Sequence, residues 1–424
     1  MCGFGVTIPI DSVSPEPYFR PSVGAPDGFG VSEKTASRSR RMAGSRAIPL
    51  CNINASYQLL ETDILGAVER VLASGQLING PDVKLLENAL AAYCGVNSAI
   101  GCASGTDALS LAIHALDIGP GDEVIIPPYT FFATVGSVIR AGATPVFADI
   151  DPVSYNIDPL QVENRITKRT KAIIAVHLYG QCADMEPLWR IAERHDLPII
   201  EDAAQSLGAE YQGKRAGSLG AIGCLSFYPS KNLGGMGDSG ACVTNDPDWA
   251  RKMEILRGHG MDPKYYHKTI GWNARIDTIQ AAILRVKLPY LDQWIAGRRE
   301  AAKRYDSLIA DFHLSSYLEK PKALPRRLHS YNQYVVRIAN GERDALIQHF
   351  KNLKIGSEIY YPLPLHLQEC LTHLGYGPGD FPASEEAARS TMALPMFPEL
   401  EAADQARVIG AVADFVRMRH RLAA

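Results

Sequence analysis

No two cysteines of this chain form a C-x-x-C pair, and none stands at zinc-type spacing from a histidine. The eight (Cys2, Cys51, Cys94, Cys102, Cys182, Cys224, Cys242, Cys370) are scattered singly, which reads as reduced, mostly buried thiols with no metal site. No apolar run reaches the ~18 residues of a membrane span. The N-terminus lacks the apolar centre of a secretory signal. Long blocks of one charge sign are also missing: 43 Lys plus Arg stand against 46 Asp plus Glu, a net charge of -3. Nothing marks a nucleic-acid surface. These absences leave a cytoplasmic globular protein with neither membrane nor nucleic acid as partner. Its 424 residues, 46% apolar, suffice for two or three domains with a sizeable core.

Residues 1–46 are rich in Ser, Pro and Gly, carry a basic patch at Arg38, Arg40 and Arg41, and show no periodicity, so disorder is expected and Met42 is an alternative start. From Leu60 to Ala73 and from Pro81 to Tyr93 apolar residues recur at helical spacing. The glycine-flanked segment Gly75 to Gly80 between them reads as a hinge, a substrate edge or a plain connector. Strands then alternate with helices. The candidate strands are Ser98–Cys102, Glu123–Ile126, Thr144–Ala148, Lys171–Val176, Pro198–Ile200, Cys224–Tyr228 and Ala241–Thr244. Their nearly unbroken apolar character suits a mainly parallel sheet covered on both faces. Past Tyr290 a long helix to Ile309 leads to a smaller C-terminal domain, with strands expected at Gln333–Ile338 and Ile359–Tyr361 and a last helix at Ala402–Met418.

Ligands of such sheets bind beyond the carboxyl ends of the strands, which directs attention to the loops there. After the first strand, Gly105 and Thr106 open a helix and make an anion cup of free N–H groups, although Ser104 and Thr106 also qualify as simple N-caps. After the second, Phe131 offers a ring that either packs in the core or stacks on a flat ligand. Asp202 ends a buried strand, where a carboxylate is costly without a positive partner, unless it caps a following helix; Gln205 lies three residues on. Lys231 follows the strand Cys224–Tyr228, beyond Pro229, in a loop with four glycines. Gly235, Gly237 and Gly240 spell G-x-G-x-x-G, but a strand follows instead of a helix, so no dinucleotide site is implied. An anion cup, a ring, a carboxylate and an amine at strand ends are the parts that a pyridoxal phosphate (PLP) site requires.

Seven segments, ASGTDAL from Ala103, IPPYTFFAT from Ile126, VHLYGQCADM from Val176, IIEDAAQSLGA from Ile199, SFYPSKNLGGMGDSGA from Ser226, GWNARIDTIQAA from Gly271 and YYPLPLHLQ from Tyr360, resemble in order the PLP-dependent sugar aminotransferases of the DegT/DnrJ/EryC1/StrS family. The resemblance runs from about residue 47 to the C-terminus. It implies PLP-dependent transferase fold type I, α/β, with a large, mainly parallel seven-stranded domain over 47–290 and a smaller α+β domain over 291–424. By the same resemblance Lys231 carries the cofactor and moves the proton, Asp202 pairs with the pyridine nitrogen and Phe131 stacks on the ring. Gly105, Thr106 and Ser226 hold the phosphate, and Gln205 faces the ring hydroxyl. Asn273 reaches a neighbouring subunit's phosphate, which implies a homodimer with shared sites. The implied reaction passes an amino group from an amino acid, L-glutamate by analogy, to a nucleotide-linked keto sugar. VHLYGQ and KYYH look more like members acting at C3 than at C4. Tyr228, Lys264, Tyr266 and His366 are the candidate substrate residues, with a solvated loop and a core histidine as the plainer readings of Lys264 and His366. Trp272 and Cys182 stand where other residues are common in the family. The rivals are a 4-aminotransferase or dehydratase of the same family, the latter carrying histidine in place of the lysine, and a non-catalytic regulator that keeps the fold.

Overall fold

The computed structural model describes residues 46–423. The disorder expected for residues 1–46 and the alternative start at Met42 lie, Arg46 apart, outside the described residues.

Two helices, α1 (Ile53–Ser74) and α2 (Pro81–Cys94), precede the sheet. Its seven strands are β1 (Ser98–Cys102), β2 (Glu123–Ile126), β3 (Thr144–Phe147), β4 (Thr170–Val176), β5 (Ile199–Asp202), β8 (Ile222–Ser226) and β9 (Gly240–Thr244), with the two-residue β6 (Glu210–Tyr211) and β7 (Lys214–Arg215) forming a side hairpin. The order is β1-β9-β8-β5-β4-β2-β3. Only β9 runs against its neighbours, antiparallel to both β1 and β8, while β8, β5, β4, β2 and β3 pair in parallel. Six strands therefore deliver their carboxyl ends to one edge.

Strand residues alternate between two cores, as pleated backbone demands. Ile125, Ile173, Leu225 and Val243 face one side, packed with α2 and with α6 (Met185–His195) and α8 (Thr278–Lys287). Val124, Ile174, Ile200 and Cys224 face the other, beneath α3 (Gly105–Ala115), α4 (Phe132–Arg140) and α7 (Pro247–Arg257). With both faces covered, the strands need no polar alternation. The short α5 (Pro159–Glu163) lies between β3 and β4.

After α9 (Leu291–Asp311), a three-stranded sheet forms from β10 (Leu318–Glu319), β12 (Tyr334–Ile338) and β13 (Thr391–Leu394), while β11 (Arg327–Leu328) joins β6. It shares a third core with α9, α10 (Arg343–Asn352) and α12 (Ala402–Ala423), centred on Tyr305, Tyr334, Phe350 and Val412. Helix α11 (Pro382–Ser390) leads into β13. The strand expected at Ile359–Tyr361 does not form. The Tyr129 hydroxyl takes those backbone groups instead, donating to the Tyr360 carbonyl at 2.7 Å and accepting from the Tyr361 N–H at 3.0 Å.

Behind the carboxyl edge of the sheet, Glu201 is wholly buried and accepts N–H groups from Gly217, Leu219 and Gly220 at 2.6–2.7 Å and from His177 Nε2 at 2.9 Å. His177 Nδ1 accepts from the Ala183 N–H, so the imidazole hydrogen sits on Nε2. Glu201→Ala strands four donors at once, three of them buried. An unfolding free energy lower by about 3–5 kcal/mol is expected in denaturant titration; a loss under about 1 kcal/mol would mean that water replaces the carboxylate.

Candidate active site

A cavity of about 690 Å³ opens at the carboxyl edge of the sheet. It is lined by Gly105, Thr106, Phe131, Asp202, Gln205, Ser226, Tyr228 and Lys231, which the sequence had singled out, and also by Ser239, Gln333, Tyr360 and Tyr361.

Ser104 caps α3 through the Asp107 N–H and takes the Ala108 N–H on its carbonyl, so the Gly105 and Thr106 N–H groups of the first turn remain for a ligand. Gly105 is there because the chain passes Ser226: a Cβ at 105 would lie 2.8 Å from the Ser226 Cβ. Cys102 and Ser226 both pair with Gly240, which also lacks a side chain; a Cβ there would meet the Ser104 carbonyl at 2.5 Å. The helix start thus leans across β9 onto the end of β8. Ser239, beside it, has a buried hydroxyl with no hydrogen-bond partner among the described residues. N–H groups at a helix start, the Ser226 and Thr106 hydroxyls and this orphaned hydroxyl fit a phosphate group.

Asp202 is buried; it accepts from Thr134 Oγ1 at 2.7 Å and from the Ala204 N–H at 3.3 Å. No helix follows it, so helix capping is not its role. Burial raises its pKa, and those two hydrogen bonds and the Lys231 charge work against that shift. A buried carboxylate in this state has room for a cationic partner, and a protonated pyridine nitrogen is one. Burial also pulls the Lys231 amine down to about 8, with Asp202 opposing. At pH 7 roughly one amine in ten is then neutral and nucleophilic. Phe131, more than half exposed, stands at the start of α4 with its ring free on the cavity side. Gln205 accepts the Tyr179 N–H at 2.7 Å and donates to the Tyr361 hydroxyl at 3.1 Å. An anion cup, a free ring face, a carboxylate short of cations and a softened amine around one cavity fit PLP.

Four expected residues do not line this cavity. His366 is a correction: its side chain is fully buried, paired with Glu385 at 3.2 Å and edge-on to Phe381, which leaves it in the core. Lys264 and Tyr266 lie exposed on a surface loop, the Lys264 ammonium 4.9 Å from the Tyr265 ring centre. Asn273 is also exposed, away from its own chain's cavity. Sequence reasoning missed Thr134, Ser239, Gln333 and Tyr361. Thr134, one turn into the helix that follows Phe131, had a signal in its spacing; the others had none.

Residues 58–413 match the profile of the DegT/DnrJ/EryC1/StrS aminotransferase family. A pleiotropic regulatory protein of Geobacillus stearothermophilus is 47% identical, the match covering 87% of this chain and 99% of that protein. The UDP-N-acetyl-3-dehydro-alpha-D-glucosamine 3-aminotransferase of Acidithiobacillus ferrooxidans is 42% identical over 87% of this chain and 97% of its own. The crystal structure of S. venezuelae DesV in complex with a ketimine intermediate superposes with a TM-score of 0.84 at 40% identity, covering 88% of this chain and 99% of that one.

Proposed function

The chain belongs to the DegT/DnrJ/EryC1/StrS aminotransferase family, and from that we propose a PLP-dependent aminotransferase that moves an amino group from L-glutamate to a nucleotide-linked keto sugar, a 3-keto-deoxyhexose. One observation carries the reading: the softened Lys231 amine and the buried Asp202 carboxylate share a cavity with an anion cup and a free aromatic face. Relatives named for 3-keto sugars or 3-amino products support the position on the ring.

When bound, PLP supplies an electron sink for the pair left as a proton departs the donor's α-carbon. The chain supplies the rest. Gly105, Thr106, Ser226 and Ser239 would hold the phosphate, Phe131 would cover the ring, and Asp202 would keep the ring nitrogen protonated. Lys231 would hold the cofactor through its amine and, once the donor amine had displaced it, its freed amine would be the base that takes the donor's α-proton and the acid that gives it back. A second half-reaction passes the amine to the sugar. Tyr228, half exposed at the cavity mouth, and the surface residues Lys264 and Tyr266 meet the nucleotide-linked end.

Exposed Leu59, Leu65 and Leu72 on α1, with Leu77, Ile78 and Ile270 nearby in sequence to α1 and Asn273, are the kind of apolar surface a second copy covers. That favours a homodimer, with Asn273 completing the partner's phosphate site. Sedimentation should give a dimer, and Asn273→Ala should keep it while weakening PLP binding about tenfold. A monomeric wild type would remove this role for Asn273.

The regulator named among the relatives keeps a second reading open, a PLP-fold protein that acts without turnover. Lys231, Asp202 and the cup are all retained here, and a regulator does not need all three. The two readings part in the visible spectrum of the PLP-loaded protein before and after L-glutamate. Bleaching of the long-wavelength band supports transamination; a band indifferent to any amino donor supports regulation.

A further inference from the structure

Tyr361 stands in the cavity wall, and neither composition nor spacing gave it a role. Its hydroxyl accepts a hydrogen bond from Gln205 Nε2 at 3.1 Å. The direction of that bond is fixed. Gln205 Oε1 receives the Tyr179 backbone N–H at 2.7 Å, and a backbone N–H can only donate, so the amide nitrogen faces Tyr361. An amide nitrogen likewise only donates. The phenol oxygen is therefore the acceptor in this contact, and its own hydrogen is left over. Among the described residues no acceptor receives it.

The phenol also stays protonated, because burial, helped by the Asp202 charge, drives its pKa far up. Nor can the side chain swing freely. Its ring lies 6.3 Å from that of Tyr129 and 6.0 Å from that of Phe131, and its backbone N–H is held by the Tyr129 hydroxyl. Among the described residues, Lys231 is the one basic side chain that lines the cavity. Lys231 apart, an anionic oxygen entering this part of the cavity takes its hydrogen bonds from uncharged donors of this chain.

We propose that the Tyr361 hydroxyl is a fixed hydrogen-bond donor to an anionic oxygen of the bound ligand, with Gln205 setting its direction. Two oxygens have this chemistry: the ring phenolate of PLP and the α-carboxylate of the amino donor. The assignment rests on the PLP aminotransferase reading of the cavity. It extends the site across the fold, since Tyr361 comes from the segment between α10 and α11 while Asp202 and Lys231 come from the seven-stranded sheet.

Tyr361→Phe removes one oxygen and keeps the ring against Tyr129 and Phe131. Two measurements on the PLP-loaded protein separate the partners. A pH titration of the visible spectrum without donor reports the ring oxygen. Losing a donor to an anion raises its proton affinity, so the midpoint should move up by about one pH unit or more. Single-turnover bleaching against L-glutamate concentration reports the carboxylate; here the titration should hold and half-saturation rise about tenfold to a hundredfold. Gln205→Leu should reproduce the same change, and the double variant should add little to it, because both act through one hydrogen bond. It also serves as the readout if Tyr361→Phe fails to fold. A midpoint and a glutamate dependence both within about twofold of wild type in either variant would overturn the assignment. A wild type that takes up no PLP would overturn the cofactor reading and this assignment together.

Discussion

Lys231→Ala is expected to leave a folded protein that takes up PLP without the visible band of a lysine-bound cofactor and that transfers amine at least roughly a thousandfold more slowly. The expectation comes from position. Lys231 follows β8 in a loop whose two ends are pinned by neighbouring antiparallel strands, and its amine lies within the electrostatic reach of Asp202. Among the described residues no other lysine, arginine or histidine lines the cavity, so no neighbour within the chain stands ready to take over the proton. Stability should hardly fall, because burial penalises the ammonium that the substitution removes. The pH dependence has a definite sign. The amine titrates at about 8, so PLP capture by the apoprotein should speed up as pH rises through about 8 and then level off. Stopped-flow absorbance measures that rate. Capture that is flat from pH 6 to 9, or a variant that still shows the band, would remove Lys231 from its role.

Asp202→Asn should cost roughly a hundred- to a thousandfold in kcat with a much smaller change in glutamate KM. Asparagine preserves size and can still accept from Thr134 Oγ1, which now donates to the carboxylate at 2.7 Å. What it loses is charge. Without a carboxylate the ring nitrogen gives up its proton near neutral pH, and the electron sink weakens at the step where the α-proton leaves. A ground-state contact would instead show as a raised KM at unchanged kcat. Thermal melting gives the control: Asp202 is raised by burial, so replacing it with a neutral group should leave the melting temperature within a few degrees of wild type or higher. An unchanged kcat would separate Asp202 from the chemistry.

What could be read from the sequence follows the range of the interactions involved. β1 and β2 were placed to the residue, since an unbroken apolar run bounded by turn-forming residues reports its own burial. Lys231, Asp202 and the Gly105 turn were legible because each sits at the end of such a run, and the parallel topology places all those ends together. Tyr361 and His366 belong to the opposite case. Both lie in YYPLPLHLQ, where the sequence gives the tyrosine no role of its own and leaves the histidine open between a ligand and a core residue. Only tertiary packing shows that Phe381 and Glu385 occupy it while the tyrosine five residues earlier turns into the cavity. The missing strand at Ile359–Tyr361 has the same origin, a hydroxyl more than 200 residues away that takes the backbone groups a ladder would have used.

The crossing of the α3 start over β9 has a consequence for what the protein will accept. Because Gly240 projects nothing, the anion cup rests against Ser226, five residues before Lys231 on the same strand and loop. The cavity therefore works as a gauge, with one jaw for a phosphate and one for a carbonyl, and its opening is set by the absent side chains of Gly105 and Gly240. A vitamer without the phosphate engages only one jaw, and one with a lengthened arm overshoots the other. Selectivity among such compounds is thus set largely by a backbone crossing, with the Thr106, Ser226 and Ser239 hydroxyls supplying only the contacts within the phosphate jaw.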